Sequence, residues 1–112
     1  MLEGMVLRNI HRLASFSQDR MGKVTLAAGS RLYAGLNCFL PGQEHAAHVH
    51  AGQDKLYYVL EGNGEAVVGE ETCEVGEGDL VLAPAGAPHG LKNTGRAPMT
   101  VLVVFAPPPQ KS

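Results

Sequence analysis

Glycine and proline divide this chain into short segments. Their frequent spacing restricts the possible fold classes more than any other feature of the sequence. The 112 residues include 14 glycines and 7 prolines. Between them lie short runs of β-branched and apolar residues, which favour strands over helices. Many short strands at such spacing indicate an all-β sandwich or barrel. The predicted strands cover residues 23–28, 31–40, 44–50, 55–61, 64–69, 71–75, 79–83, 88–93 and 98–106.

The two ends of the chain lie outside this pattern. Residues 1–22 are interpreted as an N-terminal strand or extension, in which 8–21 form either a strand or a turn of helix. Residues 107–112 are interpreted as a tail, because consecutive prolines cannot pair in a sheet interior. A length of 112 residues suits one domain, so we expect residues 1–112 to form a single unit.

Charge and composition argue against several classes of function. The formal net charge is −2 and no basic run is present, so neither nucleic acid nor a membrane surface is an expected partner. The first residues lack the apolar run of a signal peptide, and no stretch reaches membrane-spanning length. Cys38 and Cys73 lie in strand-like runs, where we expect buried free thiols, although a disulfide between them stays open. We therefore expect a cytoplasmic protein.

Two predicted strands are apolar at every position, namely Leu56–Leu60 and Val101–Phe105. A strand with one face in water would alternate between apolar and polar residues. Both faces are therefore expected to be covered, either inside the sandwich or by a partner subunit. We predict a homodimer.

Three histidines form the strongest candidate site. His48 and His50 stand one residue apart beside an apolar strand, and side chains at i and i+2 leave the same face of a strand. His89 follows a turn that contains Pro84 and Gly86. Because imidazole is the commonest metal ligand, the three histidines predict a metal site.

The two histidine segments resemble, in order and spacing, the two motifs of the cupin superfamily, and in particular its small bacterial single-domain members. The resemblance spans a motif core over residues 42–93. It implies a jelly-roll β-barrel, also described as a double-stranded β-helix, with a divalent transition metal (zinc, iron, manganese, nickel or copper) held inside. The first motif, G-x5-H-x-H, is met by Gly42, His48 and His50 and closes on Gly62. The second, G-x5-P-x-G-x2-H-x3-N, is met by Gly78, Pro84, Gly86, His89 and Asn93.

Lys55 departs from the cupin pattern, because metal-binding cupins usually carry a glutamate at this position. An ammonium group has no free lone pair and repels a cation. Three interpretations are therefore open. In the first, Gln53 or Asp54 supplies a fourth ligand, and Gln53 is favoured because it shares a strand face with Lys55. In the second, water completes a three-histidine site. In the third, no metal binds and the pocket takes an organic ligand.

Lys55 itself has two interpretations. It either orients an anionic ligand or acts as an acid or base beside the metal, which would make it a catalytic residue. In the alternative, it extends outward and pairs with Glu44 or Asp54. The first interpretation predicts a small-molecule partner that is an anion.

The alternation of side chains between the two faces of a strand predicts where the residues near the histidines point. His45 is out of phase with His48 and is predicted to point away from the site. Tyr57 and Val59 share the face of Lys55 and are predicted to line the pocket, whereas Tyr58 is predicted to face outward. The remaining large side chains are predicted to be core first and pocket wall second, and these are Tyr33, Leu36, Phe39 and Phe105.

Function is less constrained than the site, because the cupin fold hosts dioxygenases, isomerases, decarboxylases, lyases and binding proteins. The leading hypothesis is a metal-dependent enzyme that acts on a small organic anion by Lewis-acid polarisation or O2 activation. One alternative is a non-catalytic module that binds a small molecule or a metal. Another is a scaffold with a vestigial pocket. Whether the protein is an enzyme is left open by the residues alone.

Overall fold

A computed structural model describes residues 4–108, and within that range the chain forms nine strands and a short 3-10 helix at Ile10–Leu13. Each strand was predicted, with ends that differ by two residues at most. In the same range, no helix is long and apolar enough to cross a membrane. The strands are β1 Gly22–Ala28, β2 Tyr33–Phe39, β3 Glu44–His48, β4 Asp54–Glu61, β5 Asn63–Val68, β6 Glu71–Gly76, β7 Leu80–Ala83, β8 His89–Lys92 and β9 Met99–Ala106.

The strands pair antiparallel in two sheets that enclose one core. The larger sheet has the order β1-β2-β9-β4-β7, and the smaller has the order β3-β8-β5-β6. Val59 and Val103 of the larger sheet pack in one hydrophobic cluster with Ala66 and Leu91 of the smaller. The all-β jelly-roll prediction is therefore confirmed, since the inward side chains of two facing sheets form the core.

Between residue 4, where the described part of the chain begins, and β1 there is no strand. The regular element of these described residues is the helical turn at Ile10–Leu13, so the helical alternative for residues 8–21 is confirmed. A Cβ at Gly22 would collide with the carbonyl group of Ser15, and glycine therefore lets this segment pack against the start of β1. At the other end, Pro107 and Pro108 follow β9, and the rest of the predicted tail lies outside the described residues.

The two cysteines differ in their surroundings. Cys38 is buried in β2 as predicted, but Cys73 is exposed, so the prediction of two buried thiols is wrong for Cys73. Cys73 lies on β6, an edge strand whose first four residues are all exposed. Both thiols are free, and the disulfide that the sequence left open is not formed.

The larger sheet presents an apolar outer face along β9, β4 and β7. Tyr58 lies opposite both Leu80 and Leu102, which places these three side chains on the same face, and the exposure of Tyr58 confirms that it points outward. Leu80 is 63% exposed and Leu82 is 56% exposed. We call this surface the outer patch; it consists of Leu56, Tyr58, Leu80, Leu82, Leu102 and Val104.

Candidate metal centre

His48 and His89 meet because β3 pairs with β8. The two residues lie opposite each other in the register, with ring centroids 4.4 Å apart. Gly90 makes this approach feasible: a Cβ there would lie 2.7 Å from the oxygen of His45 and 2.8 Å from the nitrogen of Ala47. A larger residue at position 90 would force β3 away from β8.

His50 completes the group from the segment just after β3. Its ring centroid is 4.6 Å from that of His48 and 5.5 Å from that of His89. The backbone N–H of Gly86 donates to the oxygen of His50 at 2.9 Å, so the turn of the second motif holds the end of the first. One ring nitrogen from each histidine lies within 4.8 Å of the others. The three predicted histidines are therefore brought together.

The hydrogen bonds of His48 and His89 select the tautomer that a metal ligand needs. The Nδ1 atom of His48 is 2.8 Å from the oxygen of Ala46, and that of His89 is 3.0 Å from the oxygen of Ala87. Because a carbonyl oxygen only accepts, each Nδ1 carries the hydrogen and each Nε2 has a free lone pair.

Both of these Nε2 atoms are buried and have no hydrogen-bond partner among the described residues. A buried polar atom without a partner is costly, and a cation between the rings would satisfy both nitrogens. At zinc–imidazole bond lengths, tetrahedral ligand nitrogens are about 3.4 Å apart, so ring nitrogens within 4.8 Å of one another reach a common ion only after the rings move inward. The arrangement therefore suits a metal.

Burial favours the neutral form of two of the ligand candidates. Desolvation is the largest cause that lowers the pKa of His50 and of His89. The neutral imidazole is the form that binds metal ions. Three such nitrogens suit zinc, iron, nickel or copper better than manganese, which prefers oxygen ligands.

His45 also approaches the site, so the prediction that it points away is wrong. The register between β3 and β8 shifts between His45 and His48, and such a bulge places two side chains on one face that regular alternation would separate. The ring centroids of His45 and His48 are 4.4 Å apart. Burial, followed by the charge of Lys55, lowers the pKa of His45 to about 3. His45 is therefore a neutral neighbour of the ligand group.

Lys55 lies inside the barrel and not on its surface. It is 2% exposed, and its Nζ atom is 4.7 Å from the ring centroid of Tyr57 and 4.6 Å from that of Phe105. Such contacts stabilise an ammonium group through the negative faces of the rings. The alternative in which Lys55 extends outward to Glu44 or Asp54 is therefore wrong.

The cavity beside Lys55 is cationic. Burial, reinforced by the charge of Lys23, lowers the pKa of Lys55 from 10.5 to about 8, so the side chain is still mostly protonated at neutral pH. The cavity has a volume of about 480 Å³ and runs from the histidines past Lys55. None of the described residues that line it is acidic. A ligand with negative charge would therefore supply the counter-charge that the protein does not.

Gln53 lies in the wall of this cavity, and both Gln53 and Asp54 bond to neighbouring loops. The Nε2 atom of Gln53 donates to the oxygen of Pro107 at 3.0 Å, and Gln53 lines the cavity. The carboxylate of Asp54 accepts a hydrogen bond from the N–H of Ala85 at 2.8 Å, which ties it to the turn before His89. Coordination of a metal by Gln53 stays a prediction.

The cavity wall differs in part from the one predicted by parity. Tyr57 and Val59 are fully buried in the core and do not line the cavity. Asn37 was missed by sequence reasoning: it lines the cavity, is 4% exposed, and its Nδ2 atom has no partner among the described residues. An asparagine inside an otherwise apolar strand was the available signal. The other predicted wall residues are divided between the cavity, for Tyr33, Leu36 and Phe105, and the core alone, for Phe39.

This fold and this histidine group are those of a cupin, and the chain belongs to the cupin domain family, whose model matches residues 35–105. A crystal structure of a Thermus thermophilus protein is similar, with 42% identity and a TM-score of 0.90 over 94% of this chain and 100% of the other. A cupin described as RmlC-like, from Desulfovibrio desulfuricans, has 29% identity and a TM-score of 0.84 over 95% of this chain and 100% of the other.

Two of the curated relatives are proteins of named function. An uncharacterised protein of Methanocaldococcus jannaschii is 34% identical over 60% of this chain and 54% of its own length, so the chain spans about half of that relative. A gentisate 1,2-dioxygenase of a Ralstonia species is 31% identical over 75% of this chain and 24% of its own length. An oxalate-binding protein of Thermotoga maritima is 27% identical over 76% of this chain and 69% of its own length.

Proposed function

We propose that this cupin is a metal-dependent enzyme that acts on a small organic anion. His48, His50 and His89 hold a divalent transition metal, and Lys55 holds the anion. One observation carries the proposal: three histidines cluster, two of them with a buried Nε2 atom that has no partner among the described residues, and His48 and His50 share with the buried Lys55 a cavity whose described lining contains no acid.

The residues divide the chemistry between them. A bound divalent ion supplies a Lewis acid next to the ligand. Lys55 donates charge-assisted hydrogen bonds to an anionic oxygen, which orients the ligand and balances its charge. The carbonyl groups of Ala46 and Ala87 keep the imidazoles in one tautomer and orientation. Burial of Lys55 and His89 reduces their contact with bulk water, which strengthens the interactions that they make.

A second candidate function is non-catalytic binding of a small organic acid. The oxalate-binding relative favours it, because that protein is named for binding and not for turnover. A vestigial pocket is less consistent with the buried nitrogens of His48 and His89, since a site without a ligand would leave their cost uncompensated. Turnover of a bound anion distinguishes the enzyme from the binding module.

The test is metal analysis followed by titration with oxalate. We expect protein purified without a histidine tag to contain about one metal ion per chain, or to take one up from zinc, iron, manganese, nickel or copper salts. Oxalate should then give a saturable calorimetric signal in the metal-loaded protein. The signal should be much weaker after chelation, because the metal ion supplies much of the positive charge that attracts oxalate. Failure to retain any of the five metals would contradict the proposal.

We also propose that the chain forms a homodimer through the outer patch. Contiguous exposed apolar surface of this kind is typical of an interface, and Leu80 and Leu82 are more than half exposed without a partner. A second copy of the same sheet would cover both residues and explain the apolar pattern of β4 and β9.

Light scattering coupled to size exclusion tests the dimer. We expect twice the chain mass for the natural protein and a single chain mass for Leu82→Glu, because a buried unpaired carboxylate opposes association. Leu32→Glu is the matched control, since Leu32 is 45% exposed but lies outside the outer patch. A monomeric natural protein would refute the proposal.

A further inference from the structure

We propose that Tyr33, whose hydroxyl end lies over Gly35, is a stacking platform, and that the ligand class is therefore planar organic acids, such as aromatic or conjugated carboxylates. The inference rests on the proposed function, because it assumes that an organic anion enters this cavity. It adds that the ligand is planar and that Tyr33 recognises its planar part.

The position of the Tyr33 ring depends on Gly35. A Cβ built on Gly35 would lie 2.6 Å from the carbonyl oxygen of Val24, 3.0 Å from the hydroxyl oxygen of Tyr33 and 3.1 Å from its Cε1 atom, so the backbone of β1 and the hydroxyl end of the ring take up the space of the absent side chain. The hydroxyl group is held in place by Thr25, whose Oγ1 atom is 2.7 Å away. Tyr33 also lines the cavity. Glycine and threonine together thus fix an aromatic ring along the cavity wall before any ligand arrives.

Phe105 extends this surface toward Lys55. On β9, Phe105 lies opposite Tyr33 of β2 on one side and opposite Lys55 of β4 on the other. The rings of Tyr33 and Phe105 have centroids 5.7 Å apart at an interplanar angle of 48°. Three neighbouring strands therefore present tyrosine, phenylalanine and ammonium in one row across the sheet.

This row matches a ligand that is flat at one end and anionic at the other. A carboxylate bound at Lys55 places the adjoining part of the ligand beside Phe105 and toward Tyr33, where a planar body gains the geometry-specific attraction of aromatic pairs. A compact dicarboxylate would leave the aromatic row uncovered in a cavity of about 480 Å³, a volume in the range of sites for larger organic molecules.

Asn37 is a second, independent indication of a ligand. It follows Gly35 on the same face of β2, lines the cavity, and carries a buried Nδ2 atom without a partner in the described part of the chain. A ligand oxygen would satisfy this donor. The platform thus has a polar atom beside it that can bind a substituent on the planar body.

Calorimetric titration with benzoate and with cyclohexanecarboxylate tests the platform, because these probes share a carboxylate and a ring but differ in planarity. We expect metal-loaded protein to bind benzoate about fivefold more tightly than cyclohexanecarboxylate, the usual size of an aromatic pair contribution. Tyr33→Leu should remove this preference, and Tyr33→Phe should retain it. Metal content should change by less than about twofold in both variants, which also shows that the fold is intact.

Two results would overturn the inference: equal affinity of the natural protein for the two probes, or an unchanged preference in Tyr33→Leu. Either result leaves the proposed function standing if metal and oxalate still bind. If neither metal nor any carboxylate binds to the natural protein, the proposed function fails and this inference fails with it.

Discussion

Replacing His48 or His89 with alanine is expected to lower metal affinity by more than about 100-fold and to abolish metal-dependent stabilisation. Loss of a residue that only supports a ligand costs about 10- to 100-fold, so loss of a ligand itself should cost more. In the natural protein, a metal at 100 times its Kd stabilises the fold by about 2.7 kcal/mol. That corresponds to a rise of about 10 °C in Tm for a domain of this size.

Metal content by elemental analysis and Tm with and without chelator measure this effect. His11→Ala is the matched control, because His11 is an exposed histidine in the N-terminal segment. The control should keep both the metal and the rise in Tm. A His89→Ala protein that still binds one metal ion with unchanged affinity would show that these histidines are not the ligands.

Replacing Lys55 with glutamate is expected to tighten metal binding and to abolish the affinity for anions. A carboxylate at this position adds a ligand atom and offsets part of the ion's charge, whereas the natural ammonium repels the ion. The neutral variant Lys55→Met should bind oxalate about 10- to 100-fold more weakly, the usual range for a lost hydrogen bond to a charged group. Lys92→Glu, on the exposed end of β8, is the control for a change of charge alone.

The stability of the metal-free protein provides a separate check on the burial of Lys55. The pKa of Lys55 is about 8 in the fold and 10.5 in the unfolded chain, so between these values the unfolded chain binds more protons and stability rises with pH. The full gain is about 3 kcal/mol, and Lys55→Met should lack it. If the stability of the two proteins depended on pH in the same way, the burial of Lys55 would be contradicted. Unchanged metal and anion affinities in Lys55→Glu would contradict the role proposed for Lys55 in anion binding.

The strands and the ligand group could be predicted because they depend on local pattern. Glycine and proline mark the ends of each strand, and the i, i+2 relation of His48 and His50 survives folding because both remain at the same end of β3. The pairing that brings His89 to them is not local, and the resemblance to the cupin motifs supplied it.

The errors have physical causes that a single sequence does not display. The direction of His45 was predicted from the alternation of side chains along a strand. That prediction is wrong because a bulge between His45 and His48 inserts an extra residue, and bulges have no reliable local signal in the sequence. The prediction that Cys73 is buried is wrong because Cys73 lies on an edge strand. Which strand forms the edge follows from the order of strands in the sheet, which is a long-range property. The direction of Lys55 could not be deduced because a lysine can extend outward or be buried, and the aromatic rings of Tyr57 and Phe105 decide between the two.

The two sheets divide the candidate site between them. The histidine group comes from the β3–β8 ladder of the smaller sheet, whereas Lys55, Phe105 and Tyr33 come from adjacent strands of the larger. Substitutions on β2, β9 or β4 can therefore alter which acid is recognised without moving the register that assembles the metal ligands. Lys55 on β4 is the exception, because Lys55→Glu is expected to change the metal affinity. The proposed selectivity can therefore change through β2 and β9, and a combinatorial library confined to these two strands would explore new ligands on an unchanged histidine group.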